Sequence, residues 1–454
     1  MCWNQIVARL SAGFVSLVLL GGCAAGAAPS PSPTPAPALV SPSASPVSSP
    51  LGSPSPAHSP SDDHISNLAW HGIGSIPVAV AEIRSVVGFT KGYVAVERGS
   101  RSVWFSADGQ TWREVKLPFK VTKAEYEAGA NALTTNGTQV LVVGGYAHEP
   151  CDPGPPNIGG DPLCPSYPLA WVSDDGVTWQ SAYPGPKPAD PSGYGAGSEF
   201  VAAWPVPTGG WDAALGYWQG VTLHGRDLYH SGDGLHWTKL QPAPAPTPGF
   251  EGSDKFPWVH AGAADAQGVR VLWQGWSDFT VPLGSGAGVP VMTLATSPDG
   301  RSWTTVDGFA GRGTEIGAGV APTGDHSRWV LGGASGIVED YSAAVPTVWT
   351  SEDRVTWTPT VLPIPAPHGG GRVASIALAP AGYVAAGTIF VDDGGAETWT
   401  SFSEDGLTWV ELPHVAKTEA DSDATIVGDG PAGILGIGAG PTGSEGTATV
   451  WQLR

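Results

Sequence analysis

The segment SADGQTW, residues 106–112, decides how the chain is read, because the sequence writes it six times. It returns as SDDGVTW from 173, SGDGLHW from 231, SPDGRSW from 297, SEDRVTW from 351 and SEDGLTW from 403. Its aspartates, Asp108, Asp175, Asp233, Asp299, Asp353 and Asp405, are spaced 67, 58, 66, 54 and 52 residues apart. Between them one order recurs: a small-residue apolar run, a Gly turn, a second apolar run, a short strand into the Ser-x-Asp turn, and a last strand opened by tryptophan. Four short strands per unit at this period predict a blade of an all-β propeller.

The ends set the blade count. After the sixth motif come ATIVG, ILGIGAG and ATVWQL, three strands without a turn motif. NLAWHGI, residues 67–73, stands alone before the first complete unit and resembles the fourth strand of a blade. Pairing it outside the C-terminal strands gives seven four-stranded antiparallel blades and leaves no blade incomplete. A six-bladed ring with loose ends is the alternative.

The motif has a structural account. A turn aspartate accepts bonds from backbone N–H groups ahead of it, glycine permits positive φ, and the serine hydroxyl bonds locally. Trp112, Trp179, Trp237, Trp303, Trp357 and Trp409 then bring a large apolar surface to the turn. A second tryptophan precedes the motif at 104, 171, 349 and 399, with Trp451 in the closing blade, and these are expected to pack between sheets. Calcium on the aspartates is the rival reading, but one carboxylate per turn supplies too few oxygens, so no metal and no cofactor are expected.

These residues carry a resemblance. Ser-x-Asp-Gly-x-Thr-Trp is similar to the Asp-box, the bacterial neuraminidase repeat of sialidase-type propellers and their non-enzymatic relatives. It covers essentially all of residues 66–454. The hairpins here are one residue tighter than the family pattern, and Arg354 stands where glycine is usual. The resemblance implies that the turns face away from any ligand, which would bind where the inner strands begin.

The N-terminus bounds the compartment. Residues 1–22 read as a signal peptide, a basic lead followed by LSAGFVSLVLLGG, too short to span a bilayer comfortably. Leu20-Gly21-Gly22-Cys23 resembles the bacterial lipobox, which implies lipidation of Cys23 and anchoring to the outer side of the cell membrane; a plain signal peptide is the alternative. Residues 23–65 form a Pro/Ser-rich tether with too little apolar content to fold. Cys151 and Cys164 are expected to pair in an oxidising compartment, for about 3 kcal/mol by the chain-entropy model. A two-cysteine metal site is the competing reading, without C-x-x-C spacing to support it.

A net charge of −20 argues against nucleic acid and against charge-driven adhesion to anionic lipid. It suits a soluble extracytoplasmic domain, and a monomer is expected.

Aligning the inner strands on the glycine that follows each gives one residue per blade near the channel mouth: Glu82, Glu127, Glu199, Trp258, Thr314, Arg372 and Asp423. Such a set could hold a cation or a polyhydroxylated ligand; solvated strand starts in an acidic protein are the bland alternative. Aromatics concentrate in the third and fourth units, and Trp218, Trp258 and Trp276 form a candidate platform for a sugar face or a peptide. Trp204 and Trp273, within apolar strands, read as core.

The sialidase resemblance implies three arginines on a substrate carboxylate, a tyrosine with a glutamate partner, and an aspartate acid/base. Its Phe/Tyr-Arg-Ile-Pro signature is absent, the nearest text being Glu82-Ile83-Arg84-Ser85. Arg84, Arg312 and Arg372 are read at inner-strand starts. His148-Glu149 lacks the second histidine of H-E-x-x-H. The expected function is non-catalytic binding of a cell-surface or extracellular glycan or protein, with a glycoside hydrolase, sialidase-like in its chemistry, as the alternative.

Overall fold

The computed structural model describes residues 68–79, 83–97, 99–119, 128–147, 166–182, 198–219, 222–242, 258–282, 288–323, 326–337, 343–364, 370–390, 396–412, 417–418, 425–426, 430–439 and 447–454. All belong to the unit Ser61–Arg454. The segments read as signal peptide and tether, with Cys23, lie outside the described residues, as do Cys151 and Cys164. Among the described residues no helix is long and apolar enough to cross a membrane.

The fold is a seven-bladed propeller of four-stranded antiparallel blades. Blade 1 runs outward through Ile83–Phe89, Gly92–Glu97, Ser102–Ser106 and Arg113–Lys116. Blades 2 to 6 repeat that meander, beginning at Ala128, Ser198, Trp258, Glu315 and Gly370. Blade 7 takes Thr425–Ile426, Leu435–Ala439 and Ala448–Leu453 from the C-terminus and Trp70–Ile76 from the N-terminus, paired from Trp70↔Leu453 to Ile76↔Ala448. The expected closure is therefore the one found, and the six-bladed alternative falls. Trp70 Nε1 also donates to Thr400 Oγ1 of blade 6 at 3.1 Å, fastening the closing strand sideways.

Burial follows strand position. The innermost strand of blade 3, Ser198–Pro205, alternates strictly between buried and half-buried residues. The second strand of blade 1, Gly92–Glu97, is buried at five successive positions because neighbouring blades cover both its faces. Trp171, Trp349, Trp399 and Trp451 fill the spaces between sheets, and Trp204 and Trp273 are core at 2% exposure each. A buried indole removes 150–250 Å² from water, worth roughly 4–6 kcal/mol of transfer free energy. Outer strands carry the polar load, as in Arg113-Glu114-Val115-Lys116 or Pro359 within Thr358–Val361, which keeps the blade edges from pairing with other chains.

Blades 3 and 4 depart from the pattern. A parallel bridge, Gly225↔Trp258, joins them into one eight-stranded sheet. Their second and third strands are also long: Arg270–Pro282 spans 13 residues, where its counterpart in blade 1 spans 6.

Candidate functional site

The six turns share one geometry. In each, the serine hydroxyl donates to the aspartate Oδ1 at 3.0–3.2 Å. The same Oδ1 accepts the N–H groups two and three residues on, at 2.6–2.9 Å. In five turns the tryptophan Nε1 donates to the carbonyl of the residue after the aspartate, at 3.0–3.2 Å. Hydrogen bonds to the ionised form hold these carboxyls down. The Thr356 and Val355 N–H groups bring Asp353 to about 2. Partial burial pushes Asp175 up, but bonds from Thr178, Val177 and Ser173 outweigh it and leave it also at about 2.

Five of the six turns dock on the blade before them, and the fourth, at Gly300, lies against Arg270 of its own blade. Gly176, at φ +73, lies against blade 1 so closely that a Cβ there would meet Phe105 Cδ2 at 2.4 Å. Gly234 meets Val172 and Leu141 of blade 2 in the same way. Arg354 takes the glycine position of the fifth turn at φ +67, and its Nη1 donates to Asp265 Oδ2 of blade 4 at 2.8 Å. The motif is thus an inter-blade fastening whose carboxylate is committed to backbone N–H groups.

Blade 4 uses charge where other blades use apolar groups. Opposite the motif serine, the second strand carries Tyr93, Val140, Trp211, Trp329 and Tyr383 in blades 1, 2, 3, 5 and 6, but Arg270 in blade 4. Arg270, 7% exposed, donates through Nε to Asp212 Oδ2 of blade 3 and through Nη1 to Gly268 O at 3.0 Å. Asp212, 1% exposed, also meets His230 Nδ1 at 2.7 Å.

The opposite face holds the channel mouth. In each of blades 1 to 6 the innermost strand carries one extra residue against its neighbour: Arg84, Asn131, Val201, His260, Gly317 and Ala374. A bulge of this kind bends the strand and re-aims nearby side chains. It forces the preceding carbonyl over the second strand, where a Cβ on Gly387 would lie 1.8 Å from Arg372 O and one on Gly333 1.8 Å from Glu315 O. Asn131 Nδ2 donates to Phe200 O at 3.0 Å, tying blade 2 to blade 3 at this level. Burial pushes His260 down to about 4, so its imidazole is neutral at physiological pH.

The bulges correct the register read from sequence. Two residues before each bulge stand Glu82, Gly129, Glu199, Trp258, Glu315 and Arg372. Glu315 therefore takes the place assigned to Thr314, which is buried at 6% exposure. Its carboxylate lies 3.8 Å from the Arg372 guanidinium on the neighbouring inner strand, with side chains 26% and 34% exposed. Glu199 packs over Gly145 of blade 2. Arg312 does not begin an inner strand; it ends the outermost strand of blade 4, Thr304–Arg312, opposite Val291. Arg84 sits on blade 1's inner strand as the bulge residue. Glu82, Glu127 and Asp423 lie outside the described residues.

One side of the mouth is raised. Trp258 pairs with Gly275, and the second strand of blade 4 continues from Trp276 to Pro282, about 20 Å further at 3.3 Å per residue. In blade 3 the second strand extends past the Ser198↔Tyr217 pair through Trp218 and Gln219. The hairpin arms of these two blades therefore carry Trp218 and Trp276 above the level at which the inner strands start.

No known protein family and no curated protein matches the chain by sequence. Solved structures similar to it include a Hadza microbial sialidase, 13% identical, covering 81% of this chain and 74% of its own, with a TM-score of 0.41. An ulvan lyase is 12% identical over 84% of this chain and 94% of its own, at 0.46. A virginiamycin B lyase from Staphylococcus aureus is 9% identical over 85% and 100%, at 0.45. Likeness at this distance says nothing about chemistry.

Proposed function

We propose that this chain is an Asp-box propeller, lipid-anchored through Cys23 on the outer side of the cell membrane. On this reading it binds a glycan or protein partner without catalysis on the face where the inner strands begin, at a rim joined by a Cys151–Cys164 disulfide. One observation carries the reading: the sheet shared by blades 3 and 4 rises beside the mouth and bears Trp258 and Trp276 on paired strands of blade 4 and Trp218 on the second strand of blade 3. Aromatic platforms bind sugar faces and peptides through area, at little entropic cost.

The glycoside hydrolase reading receives less support. Arg372 already has Glu315 as counter-ion, and Arg312 lies on an outermost strand while Arg84 and Arg372 lie on innermost ones. A glycan array probed with residues Ser61–Arg454 tests the proposal. Binding weakened by Trp258→Ala with Trp276→Ala supports it. Turnover of a fluorogenic sialoside that Arg372→Lys abolishes would replace it with the enzyme reading.

A further inference from the structure

Among the described residues, the large hydrophobic side chains that stand exposed fall on two adjacent blades. They are Val355 and Val361 of blade 5, at 64% and 60%, and Leu407 and Val410 of blade 6, at 40% and 37%. Single exposed aliphatics are ordinary, but Val355 and Leu407 repeat one turn position on neighbouring blades and Val410 stands three residues beyond Leu407, while Val361 lies further along the outermost strand of blade 5, opposite Thr347. Val355 and Leu407 occupy the same place in the turn. In blades 2 and 3 that place is held by Val177 and Leu235, packed against the core, and in blades 1 and 4 by Gln110 and Arg301. Val410 follows the motif tryptophan, where the other blades carry Arg113, Gln180, Thr238, Thr304 and Thr358.

Two arginines hold these turns in place. Arg328 donates to Glu352 of the fifth turn and, at 3.3 Å, to the Asp405 carbonyl of the sixth, so one side chain spans both. Arg354 accepts a left-handed backbone that glycine adopts without strain and fixes its turn to the buried Asp265. The patch is therefore rigid before any partner arrives, which lowers the entropic cost of binding. Its margin is acidic: Glu352, Asp353, Glu404 and Asp405 flank the aliphatic residues, and both nearby arginines are engaged. A second copy would bring like charge to like charge, on a chain whose net charge is −20.

We infer that the Ser-x-Asp face of blades 5 and 6 docks a segment of another protein that presents aliphatic side chains flanked by lysine or arginine. This surface lies opposite the channel mouth, so it works independently of the ligand reading above.

The test uses the full chain and a labelled peptide alternating leucine with lysine, followed by fluorescence anisotropy at about 0.15 M salt. Val355→Ser with Leu407→Ser should weaken binding at least about tenfold and leave the melting temperature unchanged. Glu352→Gln with Glu404→Gln should also weaken it and flatten its salt dependence, while Gln110→Ser on blade 1 should do nothing. Binding of the serine pair at wild-type affinity would overturn the inference, since attraction would then be general charge. It is also overturned if the serine pair abolishes a dimer seen by sedimentation, or abolishes adhesion to neutral phosphatidylcholine vesicles.

Discussion

On the turn-bearing face, six aspartates accept the same pair of backbone N–H groups at 2.6–2.9 Å, whereas at the mouth the six bulges hold arginine, asparagine, valine, histidine, glycine and alanine. Both faces repeat a backbone device. Only the turn face also repeats the side chains, because there the side chain itself makes the device. A bulge is a backbone count, so the residue that occupies it is left to serve something else. The contrast assigns the turn aspartates to stability and, on the proposed reading, leaves the mouth for the ligand, and substitutions can break or sharpen it.

The largest expected effect is at the Arg270–Asp212 inter-blade clamp, which is buried on both sides. Asp212→Ala leaves Arg270 buried without its carboxylate and should cost about 3–5 kcal/mol in chemical denaturation. Replacing both, Asp212→Leu with Arg270→Met, should recover most of that loss. Gly387→Ala comes next, at about 3 kcal/mol, because the new methyl meets the Arg372 carbonyl that the bulge pushes forward. Unlike a change in a turn, it should also disturb ligand binding at the mouth.

Asp175→Ala should cost about 2 kcal/mol, from loss of bonds to Val177 N, Thr178 N and Ser173 Oγ. Its pH signature follows from the lowered carboxyl. The folded value, about 2, lies below the ordinary 3.8, so the stabilisation is complete above about pH 4 and is lost as pH falls toward 2. Melting curves across that window should drop less steeply for Asp175→Asn than for wild type. Arg354→Gly should be the mildest change, about 1 kcal/mol destabilising, since relief of the left-handed strain offsets part of the lost bond to Asp265.

Much of the fold was legible because its determinants are local. Ser106, Asp108, Gly109 and Trp112 bond within a seven-residue window, so the motif announces each hairpin, and the unpaired strand at 67–73 announces the closing blade. The mouth was legible only approximately. One extra residue in a strand leaves little trace in an alternating pattern, so the spacing to the following glycine points to Thr314 where Glu315 stands. Arg312 mimics an inner-strand start in the sequence because the outermost strand of blade 4 runs to within three residues of the next inner strand, joined through Gly313 and Thr314. Nothing in GVRVLWQG signals that Arg270 is buried, because its partner Asp212 is 58 residues away.

The central claim, that the ligand of the proposed site is held at the mouth while the turn aspartates serve architecture, is tested most directly within one blade. A partner found by array binding would be measured against Trp258→Ala with Trp276→Ala, and against Asp299→Ala in the turn of the same blade. The account predicts lost affinity at an unchanged melting temperature for the first, and retained affinity at a lowered melting temperature for the second. The reverse pattern would contradict it.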